Sequence, residues 1–584
     1  MAQPSLLSRL NPIPRFPEYT GPFRVGTVDV EIPVAELTSP AFPPDNAVHI
    51  ETVQFRIFYP CEPNATGKKI TWLPAPQRDH LSAYIKFLGV GPLLAEAASF
   101  LPRHLHYTSI PVIKNAPVLA PQTANNRWPT MLFSHGLGGS RNAYSQLVGS
   151  LASHGMVVIC PEHRDGSAVA SFVRIPSAQN RFFKRNTRRI IPYNRIPHET
   201  SDEVHELRNA QLRIRLWELG LIHEAILDID DGRKITNLNK STPSLDQFVS
   251  RLHVHDPGSI IFAGHSFGAA TMVQFLKSVF YAGRPELDAM NDPLYTPMWE
   301  SSICKQVTPQ NITILLDMWC FPLTSKSTKA LFNLPLPVYA PADSSSSKPS
   351  PGGAALLAIE SQDFFKWREH LHATARILSP DPTAQTVAQP REGDDTMMPH
   401  FYYVQRSAHL SQSDFAILFP WLTSKVFKSE SPERALRLNL RALLQFLRLN
   451  DVSVAGTKSE DMMDDISASP RGENKTPPAS SNGSVCSDDT AILDRKGNAI
   501  TEDGADGLIR AWRFIDIVGL GEPLDRECSK VKKGLDQSTE REPDALADRS
   551  ELDMANVMEP SAASVDPAVD LKEIAVAGGI ANTA

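Results

Sequence analysis

The run Gly264-His265-Ser266-Phe267-Gly268 constrains this chain more than any other stretch. It follows Ile260-Ile261-Phe262-Ala263, which has the pattern of a buried strand, and leads into 269–276, which reads as a helix. Strand, Gly-x-Ser-x-Gly and helix in that order predict a nucleophile elbow. The turn is so tight that glycines must flank the serine, because a side chain there would strike the neighbouring strand or helix. It lifts the Ser266 hydroxyl above the sheet edge. It also aims the Phe267 amide, at a helix N-terminus, toward any oxyanion formed there.

The rest of the chain offers the sheet that such an elbow requires. Stretches 128–134, 156–160, 312–316 and 401–404 read as buried strands, with helical patterns at 142–154 and 201–231 between them. In the longer helix Leu207, Ile214 and Leu221 fall at heptad spacing, with Arg208, Arg213 and Arg215 off that stripe. This alternation predicts an α/β domain with a mostly parallel central sheet flanked by helices. Ahead of it, 21–33 and 50–59 alternate apolar and polar residues, with Val53, Phe55, Ile57 and Tyr59 on one face, as an antiparallel entry hairpin requires. The domain is expected over 1–450, with a Ser-rich insert at about 341–353. A disordered linker is expected over 451–506, a short apolar helix docking on the domain over 507–522, and a disordered tail over 523–584.

Composition narrows the function classes. A net charge of −7 argues against a nucleic-acid partner. The N-terminal stretch joins no basic start to an apolar run, and the six cysteines, spread from Cys61 to Cys528, form no close pairs. The expectation is therefore a chain without a secretory signal, cytoplasmic, with free thiols and no zinc-type ligand spacing. The stretch 84–101 is rich in Leu, Phe and Ala, but Lys86 and Pro92 argue against a spanning helix. It reads either as a core helix or as an interfacial helix that docks reversibly on membrane surfaces through residues such as Leu93 and Leu94.

A serine hydroxyl attacks only when a base accepts its proton and an acid orients that base. In α/β-hydrolases these follow in the order Ser, acid, His, at the C-terminal ends of strands. Asp317, directly after the strand 312–316, is the first suitable acid, with Asp288 and Asp292 in a polar loop as weaker rivals. His409 lies in the loop after the strand 401–404. His400 precedes that strand, and His370 and His372 fall on a helical pattern. The loop 133–139, rich in glycine after a strand, suits a second oxyanion amide, assigned to Leu137 beside that of Phe267, with His135 bracing the loop. Glu162-His163-Arg164-Asp165 reads as a loop salt-bridge cluster, since its spacing is wrong for zinc. The basic run 181–189, with Tyr193 and Arg195, reads either as a solvated loop or as a contact for anionic headgroups.

Ser134-His-Gly-Leu-Gly138, Leu151-Ala-Ser-His-Gly155, Glu162-His-Arg-Asp165, the elbow and Leu316-Asp-Met-Trp-Cys-Phe-Pro-Leu323 together resemble platelet-activating factor acetylhydrolases of the α/β-hydrolase type. Ser407-Ala-His409 with Asp414-Phe415, and Leu207 to Arg215, are similar too. The resemblance spans about 21–450 and resumes near 508–521. It implies the α/β-hydrolase fold and a serine-dependent phospholipase that needs no metal or other cofactor. The reaction implied removes short or oxidised acyl groups from the sn-2 position of a phospholipid substrate. The catalytic triad implied is Ser266, Asp317 and His409, with an oxyanion hole from Leu137 and Phe267. Two other readings stay open on the residues: a general carboxylesterase or lipase, and a silent hydrolase-fold scaffold.

Overall fold

The computed structural model describes residues 15–87, 103–179, 187–242, 244–341, 349–389, 397–419, 432–456 and 512–521. Its strands are β1 (Arg24–Pro33), β2 (Thr52–Cys61), β3 (Lys69–Thr71), β4 (Ser109–Lys114), β5 (Trp128–Ser134), β6 (Val157–Pro161), β7 (Ala170–Arg174), β8 (Arg188–Pro192), β9 (Leu252–His253), β10 (Ile261–His265), β11 (Thr313–Leu316), β12 (Leu356–Ser361), β13 (His400–Val404) and β14 (Trp512–Phe514). The principal helices are α1 (Gln77–Phe87), α2 (Ser145–Ser153), α3 (Asp202–Asp230), α4 (Phe267–Phe280), α5 (Arg368–Leu378) and α6 (Pro432–Leu449).

One sheet runs in the order β14-β13-β12-β11-β10-β5-β6-β2-β1-β4-β3, with β9 beside β5. From β6 to β13 all neighbours are parallel. Such strands are covered on both faces, and β5, β6, β10, β11 and β12 are accordingly buried throughout. The antiparallel pair β1–β2 is the expected entry hairpin, in register from Arg24 opposite Cys61 to Pro33 opposite Thr52. Val53, Phe55, Ile57 and Tyr59 share one core with α3, and the opposite face of β2, through Phe58, belongs to a second core with α2, α5 and α6. The result is an α/β-hydrolase fold.

Two expectations change, and an open alternative narrows. The stretch near 508–518 contains no helix among its described residues. Trp512–Phe514 is a strand, antiparallel to β13, with Tyr402 opposite Phe514. The open edge of β13 offers a ladder of unpaired backbone groups, and pairing with it outweighs a helical apolar pattern a few residues long. In α3, Leu207 is 38% exposed, whereas Arg208 and Arg215 are fully buried, because buried partners wait for both guanidinium groups. In the stretch 84–101, Tyr84 and Phe87 end α1 inside the core, Tyr84 stacked on Trp72 at 5.2 Å. Leu93 and Leu94 lie outside the described residues. Among the described residues no helix is long and apolar enough to cross a membrane.

Asp414 ties the C-terminal half of the sheet to α2. Its Oδ2 accepts from the Ser145 amide at 2.8 Å, the Ser145 hydroxyl at 2.5 Å and Trp72 Nε1 at 3.0 Å, and its Oδ1 accepts from the Gln146 amide at 2.9 Å. A carboxylate thus caps the helix N-terminus from 269 residues away in sequence. Replacing it strands several buried donors at once. Asp414→Ala is expected to lower unfolding free energy by about 3 kcal/mol or more. A drop in urea midpoint worth under about 1 kcal/mol would show that the cap carries little of the fold's stability.

Candidate active site

The elbow is built as tightly as its glycines demand. A Cβ on Gly264 would come 2.5 Å from the Gly268 backbone, and one on Gly268 would come 2.1 Å from the Ser134 carbonyl oxygen. Between them Ser266 takes φ 55°, ψ −121°, left-handed backbone that a non-glycine residue holds only when its surroundings enforce it. The enforcement is visible: the Ser266 amide donates to Leu316 O at 2.9 Å, and Ser266 O accepts from the Trp319 amide at 3.2 Å. Gly136, in the loop after β5, packs so closely that a Cβ there would stand 3.0 Å from the Ser266 Cβ.

Asp317 follows β11 and is itself at φ 41°, its amide donating to Ile359 O at 2.8 Å. That turn directs Oδ2 to His409 Nδ1 at 3.0 Å, while Oδ1 accepts from the Ser361 amide. His409, in the loop after β13, is clamped on both ring faces. Phe364 stacks at 4.5 Å and 8° on one side, and His265 at 4.4 Å and 29° on the other. Since His265 immediately precedes Ser266, the stack brings the loop of His409 against the elbow. Burial pushes the Asp317 carboxyl up to about 6, against the pull of His265 and the Ser361 amide. The same burial holds His409 down to about 3, so its imidazole stays neutral.

The loop 133–139 is fixed at several points. The Gly138 amide donates to Ser167 O at 2.8 Å, and Arg215 Nη1 donates to His135 O at 2.8 Å. His135 braces the loop, as its position suggests. Its Nε2 accepts from the His163 amide at 3.2 Å, which leaves the proton on Nδ1 to donate to Gly136 O at 2.8 Å. Leu137 lies in this loop, next to Gly136, and Phe267 is the first residue of α4, directly after Ser266.

The rival residues are engaged by other partners. Asp292 pairs with Arg213, 61% exposed, and Asp288 ends the short helix Pro285–Asp288. His370 accepts from the Cys320 amide at 3.1 Å, His372 from Gly521 at 3.0 Å, and His400 lies against Phe446. Glu162–Asp165 is a salt-bridge cluster, but a buried one: Glu162 pairs with Arg141, Arg164 with Glu31 and Asp165 with Arg215, while His163 is hydrogen-bonded to Glu218. Residues 181–186 of the basic run lie outside the described residues. His265, Tyr144, Phe364 and Ser361 carried no sequence signal of their own for the site, since only the fold brings them to Asp317 and His409. Among the described residues, ligand atoms of His265, Asp317 and His409 lie within 4.8 Å of one another. The 3.0 Å separation of His409 Nδ1 and Asp317 Oδ2 is that of a hydrogen bond between them.

A family described as platelet-activating factor acetylhydrolase, isoform II, matches residues 10–339. The chain belongs to this family. The match takes in Ser266 and Asp317, and His409 lies beyond it. A protein of Schizosaccharomyces pombe named "Putative phospholipase A2" is 28% identical over 459 residues, covering 75% of this chain and 92% of that one. The platelet-activating factor acetylhydrolases of Bos taurus and Canis lupus familiaris are 30% and 31% identical over 221 and 226 residues. Each of those matches covers 38% of this chain and 46% of the relative, so the chain spans under half the length of these two. Family and relatives make the protein an ester hydrolase.

The Asp317–His409 pair takes up its first proton as a unit, and a protonated pair accepts none from a hydroxyl. Because burial keeps His409 below the ordinary imidazole range and Asp317 no higher than about 6, ester hydrolysis is expected to hold from pH 7 down to about 6 and to fall below it. A kcat/KM profile whose acid limb is centred above pH 6.5 would contradict this.

Proposed function

We propose that the protein is a serine-dependent phospholipase of the A2 type that removes acetyl or short, oxidised acyl groups from the sn-2 position of phospholipids. The observation that carries the reading is the His409–Asp317 hydrogen bond, held beside the strained elbow of Ser266. Nδ1 of His409 is engaged by the carboxylate, so Nε2 is the atom left to take the Ser266 proton as the hydroxyl attacks the ester carbonyl. The amides of Leu137 and Phe267 receive the oxyanion, each worth about 10² to 10³ in rate in sites of this kind. His409 then returns the proton to the departing lysophospholipid. Water, activated by the same imidazole, releases the acyl group from Ser266. Every group this chemistry needs is a side chain or a backbone amide, so no metal enters.

Membership of the family and the names of the relatives support phospholipid as the substrate class. Reversible docking on a membrane surface would then fall to 88–101, outside the described residues, because Tyr84 and Phe87 serve the core. A cytoplasmic setting fits the unpaired thiols of Cys61, Cys160, Cys304 and Cys320.

In buffer containing EDTA, the wild type is expected to hydrolyse 2-acetyl phospholipid faster than triglyceride and to be labelled by a fluorophosphonate. Ser266→Ala should lose both hydrolysis, by about 10³ or more, and labelling, while its thermal transition stays unchanged. Retained hydrolysis in Ser266→Ala, or activity lost to EDTA and restored by calcium or zinc, would overturn the mechanism. A preference for triglyceride or simple aryl esters would leave the mechanism and overturn the substrate. For docking, Leu93→Ser with Leu94→Ser should weaken liposome binding and leave hydrolysis of a soluble ester intact. A large fall in melting temperature would instead mark those leucines as core.

A further inference from the structure

A cavity of about 500 Å³ opens on the β1–β4 side of the sheet, away from Ser266. Four strand spacings separate β10 from β1, on the order of 19 Å. The volume falls in the range of small-molecule sites, about 300 to 1,000 Å³. Its lining is unbalanced in charge. Seven lining side chains are arginine or lysine, and Asp29 is the single carboxylate among them.

Some of this charge is neutralised from the surrounding elements. Lys69 pairs with Glu18, Arg174 with Glu31, and Arg141 with both Asp29 and Glu162. Lys68, Lys114 and Arg188 are exposed at the cavity and have no carboxylate partner among the described residues. Arg56 is a stronger indication, because its side chain is only 8% exposed. Its Nη2 stands 3.7 Å from Asp29 and its Nη1 3.5 Å from Thr27 Oγ1, and its Nε has no hydrogen-bond partner. Well-made guanidinium bonds to carboxylate or phosphate are about 2.7 to 2.9 Å. A buried guanidinium with loose contacts and one empty donor is costly unless something else satisfies it.

We propose that this cavity binds a phosphate-bearing anion carrying two or more negative charges. The Arg56 guanidinium donates to it from within, and Lys68, Lys114 and Arg188 neutralise it at the exposed rim. Neighbouring charge fits this. Burial and then repulsion from Arg174 hold Arg188 below its ordinary value, and burial does the same to Arg56. A bound polyanion relieves both. The cavity also borders elements that pack on the loop 133–139. Arg141 follows the loop 133–139, and α1 carries His80 at the cavity and Phe87 against Gly138.

The same phosphate chemistry reaches the protein either on a soluble polyphosphate or on a lipid headgroup, and two arms distinguish them. Binding of the full chain to inositol hexakisphosphate and to pyrophosphate is measured by calorimetry. Flotation is measured with phosphatidylcholine vesicles with and without phosphatidylinositol bisphosphate. The expected result is saturable binding in at least one arm, weakened by salt. It should fall at least tenfold in the variant Lys68→Ala/Lys114→Ala/Arg188→Ala, with hydrolysis of a soluble ester unchanged. Binding in the soluble arm alone assigns a free polyphosphate, and flotation that requires the bisphosphate lipid assigns a headgroup. No saturable binding in either arm, or equal binding by the triple variant, overturns the proposal. Should the triple variant misfold, Arg188→Gln alone carries the test, with a threefold or greater loss expected and an unchanged affinity overturning the proposal.

Discussion

The buried guanidinium of Arg215 is the point on which the active-site geometry turns. It bonds Asp165 Oδ2 through Nε at 2.9 Å and Ser167 Oγ through Nη2 at 2.5 Å, and donates through Nη1 to His135 O at 2.8 Å. Its Cζ lies 4.4 Å from the centroid of the Phe267 ring. One side chain on α3 therefore touches the loop after β6, the loop after β5 and the first residue of α4. The last two carry the amides proposed to receive the oxyanion. Hydrogen-bond donors help catalysis only when they need not reorganise during the reaction. A guanidinium buried with its carboxylate gives that rigidity, since removing either partner leaves an uncompensated charge, at about 3 to 5 kcal/mol.

The sequence makes the local parts of this site legible and leaves the distant parts dark. The elbow, the glycine loop and the acid after β11 each announce themselves within a few residues, because tight turns and strand ends dictate residue type directly. The place of His409, in the loop after β13 and beside Asp317, was readable too. What holds His409 was not: Phe364 comes from a short helix 45 positions upstream, and His265 from the elbow itself. Arg208 and Arg215 read as off-stripe residues of an amphipathic helix. Burial of an arginine is decided by where the carboxylates and aromatic faces of other elements lie, and periodicity carries no record of that. The segment near 512 failed differently. A short apolar pattern does not separate helix from strand, and the free edge of β13 settled the matter.

Two long-range anchors hold the loop 133–139 from opposite sides of the sheet. Arg215 grips it from the face covered by α3. Asp414 fixes the start of α2, into which the loop runs, from the face covered by α6. Because Asp414 lies five residues after His409, the loop bearing the proposed base and the loop bearing a proposed oxyanion amide share one fastening. A displacement of either is felt at the other, which explains why so many buried polar groups crowd a region that an apolar core would have filled more simply.

Tyr144 extends this coupling to the charge on the histidine pair. Its hydroxyl accepts from the Gly136 amide at 3.1 Å, so its own proton goes to His265 Nδ1, 2.7 Å away. His265 is thereby fixed with its proton on Nε2, and burial pushes its basicity far below the ordinary imidazole range. A cationic His265 stacked on His409 would oppose the positive charge that the proposed mechanism places on His409. A neutral one offers a polarizable face instead. Burial thus keeps the second imidazole uncharged while Tyr144 fixes its tautomer, leaving His409, with Asp317 behind it, as the favoured place for positive charge to develop.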